Sequence, residues 1–234
     1  MKKLKEFLDN IDTELMDDNK ILQFEKYYEM LIEKNKVMNL TAITDRDEVI
    51  LKHFIDSVAL LQYCKLLDEK IIDIGTGAGF PGIPLKIICP DIKVTLFDSL
   101  NKRILFLQEV INELGLKDIE AVHGRAEEGG RDNNMREAYD IVVSRAVANM
   151  AVLSEYCLPF VRKGGYFIPY KSYEIEEELN EGKKAVSILG GKVEKVEKLD
   201  IDGNGRSFVF IKKEKNTPKI YPRKAGTAKK QPLC

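Results

Sequence analysis

No stretch of the chain sustains the roughly 18 to 20 apolar residues that a bilayer-spanning helix needs, so neither a transmembrane segment nor a membrane partner is expected. Charge of neither sign is in excess. The 37 basic and 38 acidic residues leave a net charge of −1, so a polyanionic partner must be met by a local basic patch. Cysteine is sparse and scattered, at Cys64, Cys89, Cys157 and Cys234. That spacing suits neither a zinc site nor a disulfide framework. It reads as reduced thiols in a cytoplasm, three in the core and the C-terminal one incidental, and no metal is expected. The opening "MKKLKEFLDNIDTELMDD" carries acids through its apolar positions and lacks a small-residue cleavage site, so a signal peptide is not expected. No internal repeat is visible.

What is present is a chain of 234 residues, 44% hydrophobic and 32% charged, the composition of a soluble globular protein. The length suits one substantial domain plus an appendage. Residues 1–65 read as a helical extension, with Leu22, Tyr28, Leu31 and Ile32 at helical spacings. A capping-box pattern stands at Asp45 and Glu48, after a turn-like stretch at Asn39–Thr41. From residue 70 the pattern alternates. Apolar runs at 70–74, 93–97, 119–123, 139–143 and 165–170 read as buried strands. Helical stretches at about 82–89, 100–115, 148–161 and 174–189 lie between and after them. This predicts an α/β fold with a parallel sheet and helices on both faces. After 190, "KVEKVEKLDI", "DGNG" and "RSFVFIKKE" predict a closing antiparallel hairpin. The segment 215–234 holds six basic residues, no acids and three prolines, and by composition is partly disordered in isolation.

The stretch "IIDIGTGAGFPGIPLKI", 71–87, follows a strand and precedes a helix, with Pro81 and Pro84 suited to a helix start. Its glycines fit two templates. Gly77 to Gly82 matches G-x-G-x-x-G, the dinucleotide fingerprint, with Asp98 about 20 residues on. Asp73, Gly75, Gly77 and Gly79 resemble motif I of the class I S-adenosylmethionine-dependent methyltransferases. Two features favour the second template. "HGRAEE" offers Ala126 and Glu127 where such methyltransferases hold adenine, and their last strand is antiparallel. The expected cofactor is therefore S-adenosylmethionine; a NAD-dependent oxidoreductase is the alternative. On this reading the glycines admit close backbone approach, and Asp98 accepts hydrogen bonds from ribose hydroxyls. Asp73 orients the methionine ammonium, directly or through water. Phe80 either covers the cofactor or packs, and Glu127 is either a cofactor contact or a solvated acid.

After the fourth strand stands "VVSRAVANM". It has no Asn or Asp followed by two prolines and an aromatic, the pattern of exocyclic-amine methylation. Cys157, the nearest cysteine, falls in a helical pattern and reads as core, not as the nucleophile of pyrimidine carbon methylation. Arg145 cannot act as a base; it can position a phosphate, a carboxylate or a purine edge, and an ion pair with a neighbouring acid is the plain reading. Guanine N7 carries a free lone pair and no proton. Methylating it is chiefly a matter of positioning, and no general base is expected.

Taken together, "MNLTAIT" at 38–44, "HFIDS" at 53–57, "DIGTGAGFPGIPLKI" at 73–87, "LFDSLNKRILFLQEV" at 96–110, "GRAEE" at 124–128, "VSRAVA" at 143–148 and "YPRKAGTAKKQPL" at 221–233 resemble the bacterial RsmG/GidB family of 16S rRNA (guanine-N7)-methyltransferases. The resemblance implies a class I methyltransferase fold with a seven-stranded sheet and an N-terminal helical extension. It implies transfer to the guanine conventionally numbered 527. It divides the chain into 1–65, the extension; 66–213, the methyltransferase domain; and 214–234, a basic tail. Carried over by motif, the cofactor positions are Gly75, Phe80, Ala126, Glu127 and Arg145, with Asp98 as the second-strand acid. Substrate-side candidates are Asn39, His53, Lys171, Arg206, Arg223 and Lys224. His53 and Asp56 share a helical face, where the pair reads as structural or RNA-positioning. The tail either contacts RNA or folds back through Tyr221. The partner expected is 16S rRNA or the small ribosomal subunit, met by a cytoplasmic monomer. A non-catalytic RNA-binding protein of the same fold is a further alternative.

Overall fold

The computed structural model describes residues 1–145 and 147–233; Cys234, with the expectation attached to its thiol, lies outside the described residues, as does Ala146. Two compact units make up the chain, Met1–Glu69 with Thr76–His123, and Lys70–Gly75 with Gly124–Cys234.

The first unit begins with α1 (Lys2–Asp9) and α2 (Asp18–Met38). A longer helical segment follows. It runs from α3 (Arg46–Val49) through a π-helical stretch, Ile50–Ile55, to α4 (Asp56–Val58) and a 3-10 turn, Ala59–Gln62. Helix α2 starts where the Asp17 carboxylate accepts the Lys20 amide at 2.8 Å. It stops at Asn39, whose φ of 50° is left-handed, within the turn expected at 39–41. Asp45 accepts the Glu48 amide at 3.0 Å, the forward half of the expected capping box. The buried seam of α2 differs from the expected one. Leu22 is exposed and Tyr28 half-buried, while Phe24, Tyr27 and Leu31 are fully buried. Both sets have helical spacing. Two rings on the inner face decide it, because Phe24 and Tyr27 pack on Phe54 at centroid distances of 5.0 and 5.6 Å.

Strand β1 (Lys70–Ile74) belongs to the second unit. The first is completed by α5 (Gly82–Ile88), β2 (Lys93–Asp98), α6 (Asn101–Glu113) and β3 (Ile119–His123). Pro81 caps α5 and Pro84 is its third residue, where a missing N–H costs nothing. Strands β2 and β3 pair in parallel from Val94 opposite Ile119 to Asp98 opposite His123.

The second unit continues through α7 (Ala126–Gly129), β4 (Tyr139–Arg145), α8 (Met150–Cys157), β5 (Val161–Ser172), α9 (Glu176–Ile188), β6 (Gly191–Ile201), β7 (Asn204–Lys213) and α10 (Thr227–Lys230). Strand β1 lies parallel to β4, and β4 parallel to β5; β7 runs antiparallel to both β5 and β6. The hairpin turns at Asp202 and Gly203, with φ of 50° and 80°, the pair of left-handed residues a two-residue turn demands. Strand β5 begins earlier than its apolar run, since Val161 already pairs with Tyr139. Gly165 permits this, because a Cβ there would collide with the Asp140 carbonyl oxygen. Within the second unit the strand order is therefore β1-β4-β5-β7-β6.

One expectation here needs correction. Cys89 and Cys157 are buried, but Cys64 is only half-buried, because it stands just after the 3-10 turn at the end of its helical segment. The segment from 215 folds back onto its own unit, the second of the two alternatives stated for it. Arg136 donates to the carbonyls of Thr217 (2.7 Å) and Tyr221 (2.9 Å), and the Arg131 guanidinium reaches that of Ile220 (3.2 Å). Its prolines and lysines lower its intrinsic order, but these internal donors fix its backbone.

Candidate active site

Within the first unit the loop after β1 is braced by the end of β2. The Gly77 amide donates to Asp98 Oδ2 at 2.9 Å, and the Thr76 amide to the Phe97 carbonyl at 3.3 Å. Asp98 is only 2% exposed. Its Oδ1 accepts the Leu100 amide at 2.9 Å, and the Arg103 guanidinium pairs with Oδ2 at 3.1 Å. A carboxylate offers about four acceptor positions, so these three donors leave room for a ligand hydroxyl. Gly77 has φ of 64°, and a Cβ there would meet nothing within 4 Å. Its glycine answers to backbone conformation and faces open space, as a loop built for a ligand's approach requires. Gly79, with φ of 107°, is instead hemmed in by Ile83 and the Tyr27 hydroxyl. That hydroxyl donates to the Ala78 carbonyl at 2.6 Å, tying α2 to the loop. Sequence reasoning missed Tyr27 and Arg103, because neither lies in the glycine motif.

Phe80 is buried against the same aromatic group. Its ring stacks on His53 at 4.7 Å and lies 5.4 Å from that of Tyr27. His53 Nε2 shares a 2.8 Å hydrogen bond with Thr41 Oγ1, and Asn35 brackets Thr41 with two bonds of 2.9 Å. The π-helical stretch is what aims His53 at the loop, and such bulges recur at functional sites. Asp56 is buried and Asn39 exposed.

Within the second unit, Asp73 is fully buried near the end of β1. The Ser144 hydroxyl donates to the Ile74 carbonyl at 2.7 Å, clamping the ends of β1 and β4. Gly75 has φ of 72°, and a Cβ would strike Val147 Cγ2 at 2.6 Å, so any larger residue must displace Val147. Arg145 ends β4, half-buried, in register with Tyr170. Cys157 is fully buried, and burial, with the Asp73 charge adding to it, holds its thiol well above the ordinary range. A thiol so held is a poor nucleophile. Ala126 opens α7; Glu127 beside it is 8% exposed and accepts the Gly226 amide at 2.9 Å, so it is not a solvated acid.

The substrate-side candidates scatter. Lys171 is spent internally, on the Ala148 carbonyl (2.6 Å) and Glu178 (2.5 Å). Arg223 forks onto Glu155, and Arg206 is half-buried on β7. Lys224 is exposed.

The family model described as rRNA small subunit methyltransferase G matches residues 20–208. The chain belongs to that family. A ribosomal RNA small subunit methyltransferase G from Lachnoclostridium phytofermentans is 56% identical over 223 residues, covering 93% of this chain and 92% of that protein. One from Desulforamulus reducens is 54% identical over 222 residues, covering 94% and 92%. Among solved structures, TYW2 of M. jannaschii in complex with AdoMet is similar in fold, with a TM-score of 0.57 at 16% identity over 74% of this chain and 79% of that one. No helix among the described residues of this family member is long and apolar enough to cross a membrane. Nor do its described residues hold a cluster of three or more potential metal ligands.

Proposed function

We propose that the chain transfers the methyl group of S-adenosylmethionine to N7 of a guanine in 16S rRNA, at the position conventionally numbered 527, as a cytoplasmic monomer. The observation that carries this reading is the family match over residues 20–208. The loop supports it. Gly77 leaves open space, and the Asp98 carboxylate keeps acceptor capacity for a ribose hydroxyl.

When bound, the cofactor supplies an electrophilic sulfonium methyl. The chain's residues hold and exclude. Asp98 accepts from the ribose, Gly75, Gly77 and Gly79 let the backbone approach, and Asp73 orients the methionine ammonium. Ala126 and Glu127 border the adenine, and Phe80, fixed by His53, walls the loop. Arg145, at the end of β4, positions the incoming purine or its phosphate. Guanine N7 presents a lone pair with no proton to remove, so alignment with the methyl is the main demand on the protein. Asn39, His53, Arg206 and Lys224 remain the RNA-side candidates.

The test is methyl transfer to 16S rRNA, naked and in small subunits, from cells lacking the enzyme. The expected product is 7-methylguanosine at one position. Absence of transfer to either substrate would leave a non-catalytic RNA-binding protein. Calorimetric binding of NAD in place of S-adenosylhomocysteine would favour an oxidoreductase.

A further inference from the structure

The C-terminal segment is anchored where the second unit carries a candidate cofactor residue. Arg223 forks onto Glu155, Nε to Oε1 at 2.9 Å and Nη2 to Oε2 at 2.6 Å, and its own amide adds a third bond to Oε1 at 2.7 Å. Glu155 is 1% exposed, so this pair is a buried latch. Removing one partner of such a pair leaves an uncompensated charge. The Arg223 guanidinium also holds the Gln231 carbonyl at 2.8 Å, closing residues 223–231 into a loop. Inside that loop Gly226 takes φ of 80°, and a Cβ there would meet nothing within 4 Å. The glycine is therefore required by the backbone, which turns its amide onto Glu127 Oε1 at 2.9 Å. Among the described residues Glu127 receives no other hydrogen bond, so Oε2 is what it keeps for a ligand. The two carboxylates share one neighbourhood: burial, then Glu127 and Glu155, push the Tyr156 hydroxyl up to about 12.

We propose that residues 223–226 form a strap that positions Glu127, so that cofactor binding and docking of the C-terminal segment are coupled. The Arg223–Glu155 latch sets the strap, the left-handed Gly226 aims its amide, and that amide fixes the rotamer of Glu127. Arg223 and Gly226 are positioning residues, and neither needs to touch the cofactor. The segment is then part of the cofactor site, whatever its lysines do toward RNA. This inference rests on the reading of Glu127 as an adenine-side residue.

Coupling of this kind is reciprocal. In the full-length wild-type protein, saturating S-adenosylhomocysteine should slow amide hydrogen exchange in peptides covering 223–231. Unchanged exchange there, with binding confirmed by calorimetry, overturns the coupling without requiring any variant to fold. Arg223→Ala should raise the Kd for S-adenosylhomocysteine by about fivefold or more, the low end of usual coupling. In methyl transfer it should raise KM for S-adenosylmethionine while kcat at saturation stays near wild type, a split that general loosening of the fold does not produce. Glu127→Gln tests the underlying reading separately. An unchanged Kd in Glu127→Gln removes Glu127 from the cofactor site. A weakened Glu127→Gln beside an unchanged Arg223→Ala keeps Glu127 there and overturns the strap. The double variant should bind no more weakly than Glu127→Gln, because both changes act through one carboxylate; additive losses overturn the proposal.

Discussion

The Gly77 amide and the Asp98 carboxylate lie 2.9 Å apart, so the acid proposed to hold the ribose also holds the loop that admits the cofactor. Asp98 is thus both brace and ligand. Asp98→Ala should weaken S-adenosylhomocysteine binding by about 1.5–3 kcal/mol, the scale of hydrogen bonds to a charged group. It should also lower the melting temperature of the apoprotein, since the Gly77 and Leu100 amides and the Arg103 guanidinium lose their acceptor. Calorimetry showing an unchanged Kd would refute the ribose assignment.

The glycines of the loop differ in what they forbid. Gly77→Ala should cost only the left-handed penalty of about 1–2 kcal/mol, having open space for its methyl. Gly75→Ala adds a clash with Val147 at 2.6 Å, worth about a further 1–3 kcal/mol. Urea unfolding of the apoproteins should rank Gly75→Ala as the less stable. Adding Val147→Ala should recover part of its loss and do nothing for Gly77→Ala.

If guanine N7 is the nucleophile, no side chain has to lose a proton before the methyl moves. Single-turnover methyl transfer should then be flat from about pH 6.5 to 8.5. A tenfold rise per pH unit across that range would reveal a base.

Lys213 gives stability a pH dependence of its own. The ammonium is fully buried, bonded to the Leu158 carbonyl (2.5 Å) and Thr217 Oγ1 (2.6 Å) and paired with Glu137 at 3.4 Å. Burial outweighs Glu137 and pulls it down to about 8, below the roughly 10.4 of an unfolded lysine. Between those values the unfolded chain binds more protons, so this group's contribution to stability rises with pH, by on the order of 3 kcal/mol in all. Below about pH 8 both states are protonated and the contribution is constant. Chemical denaturation of wild type and Lys213→Met from pH 7.5 to 10 should show this rise only in the wild type, over whatever slope the other groups impose.

The basic residues of the C-terminal segment divide by occupation. Arg223 is committed to Glu155, whereas Lys215, Lys219, Lys224, Lys229 and Lys230 are exposed. Changing Lys224, Lys229 and Lys230 together to Gln should weaken rRNA binding and flatten the plot of log affinity against log salt. The slope should fall by roughly 0.7 for each phosphate of a single strand that these lysines neutralise in the wild type. Cofactor affinity should stay as it was. Equal salt slopes for the two proteins would deny these lysines an RNA role.

Local rules made much of this molecule readable from its sequence. Strands 70–74 and 119–123 lie where their apolar runs predict, and the first, buried from Ile71 to Ile74, is written as the continuous run of a strand covered on both faces. The hairpin at Asp202–Gly203 follows from turn chemistry, and the glycine loop from its fixed place between strand and helix. Pairings between distant residues were not readable. Nothing near Gly226 announces Glu127, and nothing near Arg223 announces Glu155, 68 residues away. The composition of the C-terminal segment predicts partial disorder in isolation, and buried carboxylates and the Arg136 guanidinium, displayed by distant helices and loops, hold it in the folded chain. The inner face of α2 was likewise open until Phe54 and the Ala78 carbonyl selected Phe24 and Tyr27 over Leu22 and Tyr28. Periodicity and turn propensity act over a few neighbouring residues and survive in the linear chain. Hydrogen bonds and ring contacts between remote segments depend on which surfaces the fold brings together, and so the tertiary structure alone decides them.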